Sequence, residues 1–242
     1  MAPFTALSDV TAAVPKIIAS GIGPLLVEYI DFITMDAIAN TNGVELGVEP
    51  AIKAQALAYL VVVLEDRRED RLEENTEELA LLLGELGALD VYVLPSGSGT
   101  KLIEAREKAF WTAKAAGADD IIDMVVPRAS MPQYLAAVGE LAKACGSLVV
   151  GCGHAGDGNV HLSVFQKDAG VRHGLIHDIF SAGMTLGGAI SGEHGIGKEK
   201  KAHLAELEDP VKLALMRRIK TAFDPHGILN PGTIFDMSED GT

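Results

Sequence analysis

The chain carries two cysteines, one tryptophan and only 5% aromatic residues, and these scarcities exclude several kinds of protein. Cys145 and Cys152 are too few and too poorly spaced for a disulfide framework or a Cys-x-x-Cys metal knuckle. Cations are scarce as well: 20 Lys and Arg stand against 34 Asp and Glu, a formal net charge of −14. That balance argues against nucleic acid or an anionic membrane as the main partner, although an acidic chain can still hold an anion locally. The longest apolar run, Ala56 to Leu64, falls well short of the ~20 residues that span a bilayer. The N-terminus lacks the basic and apolar stretches of a cleavable signal, so a cytoplasmic protein is the default expectation. No GxxxxGK[ST] occurs, and the superficially phosphate-binding run Ser96 to Lys101 reads as a loop with a helix cap.

The sequence does have enough material for a substantial core. Its 242 residues are 48% hydrophobic, sufficient for one large domain or two fused halves. Helix-like and strand-like segments alternate. Ser8 caps a helix running through Ala19, Pro24 to Ile30 reads as a strand, and a helix follows to about Ala39. Gln55 to Leu64 is a buried strand, Glu69 to Leu86 an acidic amphipathic helix, Leu89 to Leu94 a strand and Ser98 to Ala116 a helix. The order then recurs: strand Ile121 to Val126, helix Pro132 to Cys145, a hairpin over Ser147 to Phe165, helix Val171 to Gly187 and a last helix from Pro210 to Phe223. Two successive sets of strands and helices predict an α+β fold, a duplicated unit on one largely antiparallel sheet with helices packed on it. The acidic stretch Glu65 to Glu78 is a solvated helix face.

Two segments concentrate the chemistry. The first reads Gly-Cys152-Gly-His154-Ala-Gly-Asp157-Gly158-Asn159-Val-His161, and the second Ser191-Gly-Glu193-His194-Gly-Ile-Gly-Lys198. Asp-Gly between short apolar runs is a strong hairpin signal, because a two-residue type I′ turn needs positive φ at both central positions. With Asp157 and Gly158 at those positions, His154 lies directly opposite His161, close enough for two imidazoles to chelate one divalent metal. Glu193, in a glycine-rich loop, is the natural third ligand, and His194 then stands beside the metal. Turn chemistry alone accounts for Gly156 to Asn159 but not for histidine on both strands. Cys152 shares the strand parity of His154 and either faces the same cavity or is a small buried side chain, whereas Cys145 near a helix end is filler.

Three strings, GHAGDGNVHLSVF with His154 and His161, SGEHGIGK over Ser191 to Lys198, and FDPHGILNPGTIF over Phe223 to Phe235, strongly resemble the C-terminal domain of FAD-linked oxidases. Within that family they look like the branch of the glycolate oxidase FAD subunit, D-lactate dehydrogenase and D-2-hydroxyglutarate dehydrogenase. The resemblance runs through nearly the whole chain. It implies a duplicated ferredoxin-like unit, with halves at about 1–117 and 118–242, that covers a flavin and binds substrate. It further implies that His154, His161 and Glu193 hold a divalent metal, often zinc. His194 is then the base for oxidation of a D-2-hydroxy acid to the 2-oxo acid, and Asn230 and Glu193 lie on the FAD side.

Departures from the family pattern shape the remaining expectations. Lys114 stands where relatives carry an Arg that grips the substrate carboxylate; it keeps the charge and loses the bidentate fork. Ile121 stands where a second basic residue is used for a distal carboxylate, which favours a small lactate- or glycolate-like anion, with Arg128 as a possible substitute cation. No part of the chain resembles the FAD-binding domain. That domain is therefore expected as a partner in cis or trans, this chain alone is expected to be inactive, and a homodimer could cover the same surface. A freestanding metal-dependent hydrolase and a non-catalytic ligand-binding module are the alternative classes.

Overall fold

A computed structural model describes residues 1–235, and its sheet repeats one strand order twice. In chain order the elements are β1 (Ala2–Phe4), α1 (Leu7–Ala19), β2 (Leu26–Asp31), α2 (Phe32–Asn42), α3 (Pro50–Lys53), β3 (Ala58–Val63), α4 (Glu69–Glu85), α5 (Ser96–Glu107) and α6 (Ala109–Ala115). The second half continues with β4 (Asp120–Val125), α7 (Met131–Ala144), β5 (Leu148–Gly153), β6 (Asn159–Phe165), α8 (Ala169–Thr185), β7 (Ala189–Ile190), α9 (Lys201–Leu207) and α10 (Pro210–Phe223). The seven strands lie in the order β1-β3-β2-β5-β6-β4-β7, with every neighbouring pair antiparallel.

The second unit, β4-α7-β5-β6-α8-β7, places its first strand between its third and fourth, the split β-α-β arrangement of a ferredoxin-like fold. The first unit follows the same plan through β1, β3 and β2. Its fourth position is taken by the segment predicted as a strand over Leu89–Leu94, which is not a regular strand. It runs beside β1 through Leu89 N–H to Pro3 O (2.9 Å) and Tyr92 N–H to Met1 O (2.8 Å); three-residue β1 is too short to support a longer ladder. The units join where Tyr29 faces Gly153 and Ile30 faces Cys152.

One sheet face is sealed by α1, α4, α7 and α8 over a core that includes Phe4, Ile17, Tyr134, Leu162 and Phe180. Strand β6 shows how this face is selected: Val160, Leu162 and Val164 are buried in that core, while His161, Ser163 and Phe165 alternate to the opposite face. There α2 and α5 cover the first unit, around Ile30, Ile38, Tyr59 and Leu102. Over the second unit the same face stays open as a cleft.

Several expected boundaries change. Helix α1 begins at Leu7 with Ala6 as its N-cap, so Ser8 lies inside the first turn and does not cap it. The helix expected over Ser98–Ala116 starts at Ser96 and breaks at Lys108 into α5 and α6. Strands β1 and β7 and helices α3 and α9 carry too few residues for periodicity to reveal them.

Candidate active site

The hairpin that carries both histidines is wider than its Asp-Gly signal predicts. Cys152, not His154, is the cross-strand partner of His161. Residues 154–158 form a loop closed on itself by Asp157 N–H to His154 O (2.9 Å) and Asn159 N–H to His154 O (3.2 Å). Only Gly158 adopts positive φ, at 78°, and a Cβ there would lie 2.0 Å from Val126 O. A type I′ turn needs a second left-handed residue, which Asp157 does not supply. His154 nevertheless keeps the face of Cys152, and its ring centroid is 5.3 Å from that of His161.

Glu193 completes the cluster. Its Oε1 is 3.3 Å from His154 Nε2, 3.0 Å from His161 Nε2 and 3.7 Å from His194 Nε2. Donor atoms of His154, His161 and Glu193 all fall within 4.8 Å of one another. His161 and His194 stack, with centroids 4.9 Å apart and planes at 24°. Burial, then the neighbouring Arg106 and His194, lowers His161 to about 4, so its imidazole stays neutral and available as a ligand. Neither of its buried ring nitrogens makes a well-aligned hydrogen bond.

Two buried acids, unmarked by any motif, hold this arrangement. Glu28 on β2 is 1% exposed; it accepts a hydrogen bond from His154 Nδ1 and pairs with Arg106 Nε at 2.5 Å. That bond raises the His154 pKa against the opposing effect of burial, and it points Nε2 toward Glu193. Asp123 on β4 is 0% exposed and lies opposite His161 in the sheet. It accepts hydrogen bonds from Ser191 Oγ (2.7 Å) and from the backbone N–H groups of Gly192 (3.1 Å), Glu193 (3.1 Å) and His194 (2.7 Å), with Lys200 Nζ 3.7 Å away. Burial alone would raise its pKa; these donors, with the Lys200 charge, hold it down to about 2. The signal in sequence was slight: each is an acid inside an otherwise apolar strand run, Leu-Val-Glu28-Tyr-Ile and Ile-Ile-Asp123-Met-Val.

A cleft of about 390 Å³ opens onto the cluster, lined by Ile33, Arg106, Phe110, Ile121, Cys152, His154, His161, Ser163, Glu193 and His194 among others. Its cation is Arg106, which lies eight residues before Lys114 and was not singled out from sequence. Lys114 lines a neighbouring cavity and reaches the carbonyls of Asp119 (3.2 Å) and Ala118 (3.5 Å) at the end of its own helix. Arg128 is outside the cleft, donating to Gly156 O (3.2 Å) and bracing the hairpin loop. Both cations are thus drawn to local carbonyls and away from the cleft. Asn230 has a left-handed backbone (φ 45°) and lines a separate groove with Met216 and Leu229. Cys152 is buried in the cleft wall and its thiol is pushed up to about 12 by burial, which leaves it unreactive.

The duplicated ferredoxin-like sheet leaves one face open, and that face bears the His-His-Glu cluster and an adjoining histidine. The chain belongs to the family of FAD linked oxidases, C-terminal domain, which it matches over residues 1–234. It is 57% identical to an uncharacterized FAD-linked oxidoreductase of Mycobacterium tuberculosis over 97% of this chain and 51% of that protein. A D-lactate dehydrogenase of Archaeoglobus fulgidus is 31% identical over 96% of this chain and 50% of its own length. The glycolate oxidase subunit GlcD of Escherichia coli is 28% identical over 96% and 46%. The chain therefore spans about half the length of these curated relatives. Among solved structures, p-cresol methylhydroxylase with substrate bound superposes with a TM-score of 0.62 at 16% identity, over 99% of this chain and 53% of that one. A 4-ethylphenol oxidase from Gulosibacter chungangensis gives 0.65 at 13% identity, over 97% and 53%. These similarities extend the fold assignment. No described helix is long and apolar enough to cross a membrane.

Proposed function

We propose that this chain is the substrate-binding and catalytic half of an FAD-dependent enzyme that oxidises a D-2-hydroxy acid to the 2-oxo acid. The observation that carries the reading is the convergence of His154, His161 and Glu193 beside His194, with Arg106 in the same cleft. Family membership favours this oxidoreductase over a freestanding hydrolase or a binding module.

The residues fit a divalent metal such as zinc. The three donors are two imidazoles and a carboxylate, one imidazole is held neutral, and the other is oriented through Nδ1 by a buried carboxylate. His154 and His161 would hold the ion with Glu193, and a bound ion supplies Lewis acidity toward the substrate hydroxyl. Oxidation removes a proton from that hydroxyl and a hydride from C2, and the family's flavin is the hydride acceptor.

His194 takes the proton at Nε2, the atom that faces Glu193 at 3.7 Å. Its backbone N–H on Asp123 fixes the loop that carries it. Arg106 presents its guanidinium to the substrate carboxylate, and Glu28 fixes that guanidinium through Nε. Phe110 and Ile33 form apolar walls that limit water beside the reacting carbon, and a small 2-hydroxy acid such as lactate or glycolate carries both the hydroxyl and the carboxylate that this reading requires.

The partner in this reading is an FAD-binding domain. Helix α10 presents Val211, Leu215, Ile219 and Phe223 at four-residue spacing, each between 51% and 84% exposed, an apolar stripe suited to a covering domain. The direct test is calorimetry of the zinc-loaded chain with D-lactate. Saturable binding weakened at least about tenfold in Arg106→Met supports the proposal. Absence of binding, or binding indifferent to Arg106, overturns it.

A further inference from the structure

Helix α8 carries His173 and His177 four residues apart, and α9 carries His203 and Glu206 three apart. Such spacings put both members of a pair on one helix face, and two histidines four apart can chelate one ion. Helix α9 packs on α8, and the two pairs meet there. The His203 ring centroid is 5.1 Å from that of His173 and 5.8 Å from that of His177, while Glu206 Oε2 is 3.4 Å from His177 Nδ1. Two imidazoles on one tetrahedral ion hold their centroids about 5 Å apart, given metal–nitrogen bonds of about 2.0–2.1 Å. The cleft pair His154 and His161 stands at 5.3 Å.

His203 is the fixed member of this cluster. It is buried, its ring lies 5.3 Å from that of Phe180, and its Nδ1 has no hydrogen bond among the described residues. A buried ring nitrogen without a partner is destabilising, and a coordinate bond would supply the missing interaction. Burial, then His173 and His177, lower the His203 pKa and keep the ring in its neutral, ligating form. The other donors are looser: His173 and Glu206 are exposed and His177 is half-buried. They are gathered less closely than His154, His161 and Glu193, and rotation of these side chains toward His203 closes the set. Of the cations near His173 and His203, Arg172 is paired with Asp120 (3.0 Å) and Lys200 with Asp123 (3.7 Å).

We propose that His173, His177, His203 and Glu206 form a second metal site, separate from the cleft, for a divalent cation such as zinc. Three imidazoles and a carboxylate make a closed tetrahedral donor set, so the site is structural and leaves no position for a substrate. What it fixes is α9. That helix has seven residues and buries only His203 and Leu204, and it follows directly on the loop over residues 191–200 that carries Glu193 and His194. An ion shared by α8 and α9 ties the far end of that loop to a helix packed on the sheet. The site does not depend on the reaction assigned to the cleft.

The test titrates zinc into the chelator-stripped chain by calorimetry. The wild type is expected to take one equivalent more than His173→Ala/His177→Ala, whose replaced side chains are exposed or half-buried and leave the core intact. In the His154→Ala/His161→Ala background, which isolates the second site, His203→Phe keeps an aromatic ring beside Phe180 and is expected to weaken zinc at least about tenfold. Zinc should also slow amide hydrogen exchange in α9 in that background, and lose this effect once His173 and His177 are replaced. Equal stoichiometry in the wild type and in His173→Ala/His177→Ala overturns the site. Zinc affinity unchanged by His203→Phe, or binding that leaves α9 exchange unchanged, reduces the cluster to an exposed pair on α8 and overturns the bridge.

Discussion

Glu28 and His154 are separated by 126 positions and hydrogen-bonded to each other inside the protein. The pairing depends on the β2–β5 junction that joins the two sheet units, and the same carboxylate fixes Arg106. One buried acid of the first unit thus sets the orientation of a candidate metal ligand and of the cleft cation.

Replacing Glu28 with Ala leaves Arg106 buried without its counter-charge and His154 free to turn. Zinc affinity should fall about 10- to 100-fold. Stability should fall by about 3–5 kcal/mol, the usual cost of breaking a buried ion pair from one side. Competition with a chelating dye and a denaturant melt measure the two effects separately.

Asp123 gives a pH signature. Its folded pKa of about 2 lies below the ordinary 3.8, so the folded state binds its proton less readily than the unfolded chain. The resulting stabilisation is fully present above pH 3.8 and is lost as pH falls through about 2. It amounts to about 2 kcal/mol by the conversion of a pKa shift to free energy. Melts of the wild type and Asp123→Asn between pH 5 and pH 2 should converge as the acid end is approached; parallel curves would contradict the assignment.

His194→Ala should separate binding from chemistry. Zinc stoichiometry should be unchanged, because the donor set is His154, His161 and Glu193. Turnover of the chain assembled with its FAD-binding domain should drop about 10²- to 10⁴-fold, the range for loss of a general base. The double variant His154→Ala/His161→Ala should lose the metal of the cleft; an unchanged stoichiometry in that variant would remove the chelate.

Lys114→Met and Arg106→Met distinguish the two cations considered for the substrate carboxylate. Lys114 is occupied with carbonyls at a helix end, so its removal should change D-lactate affinity less than about twofold, whereas Arg106→Met should weaken it at least about tenfold. The reverse order would return the role to Lys114.

The sequence by itself determined the fold class and the residue types gathered at the candidate site. Periodicity marked α4, α7, α8, α10 and the long strands within a few residues, and α10 at its observed ends, because those elements carry enough residues for a period to show. His154, His161, Glu193 and His194 were legible because turn glycines and clustered histidines are a local pattern. The hairpin register was not, since an Asp-Gly pair fits both a two-residue turn and the end of a five-residue loop, and contacts of Gly158 with Val126 outside the hairpin select the latter. Only the tertiary structure decided which cation faces the cleft and which acids orient the site. Arg106, Glu28 and Asp123 owe their roles to burial and cross-strand neighbours contributed by distant segments, and a side chain's desolvation is not encoded in its immediate sequence.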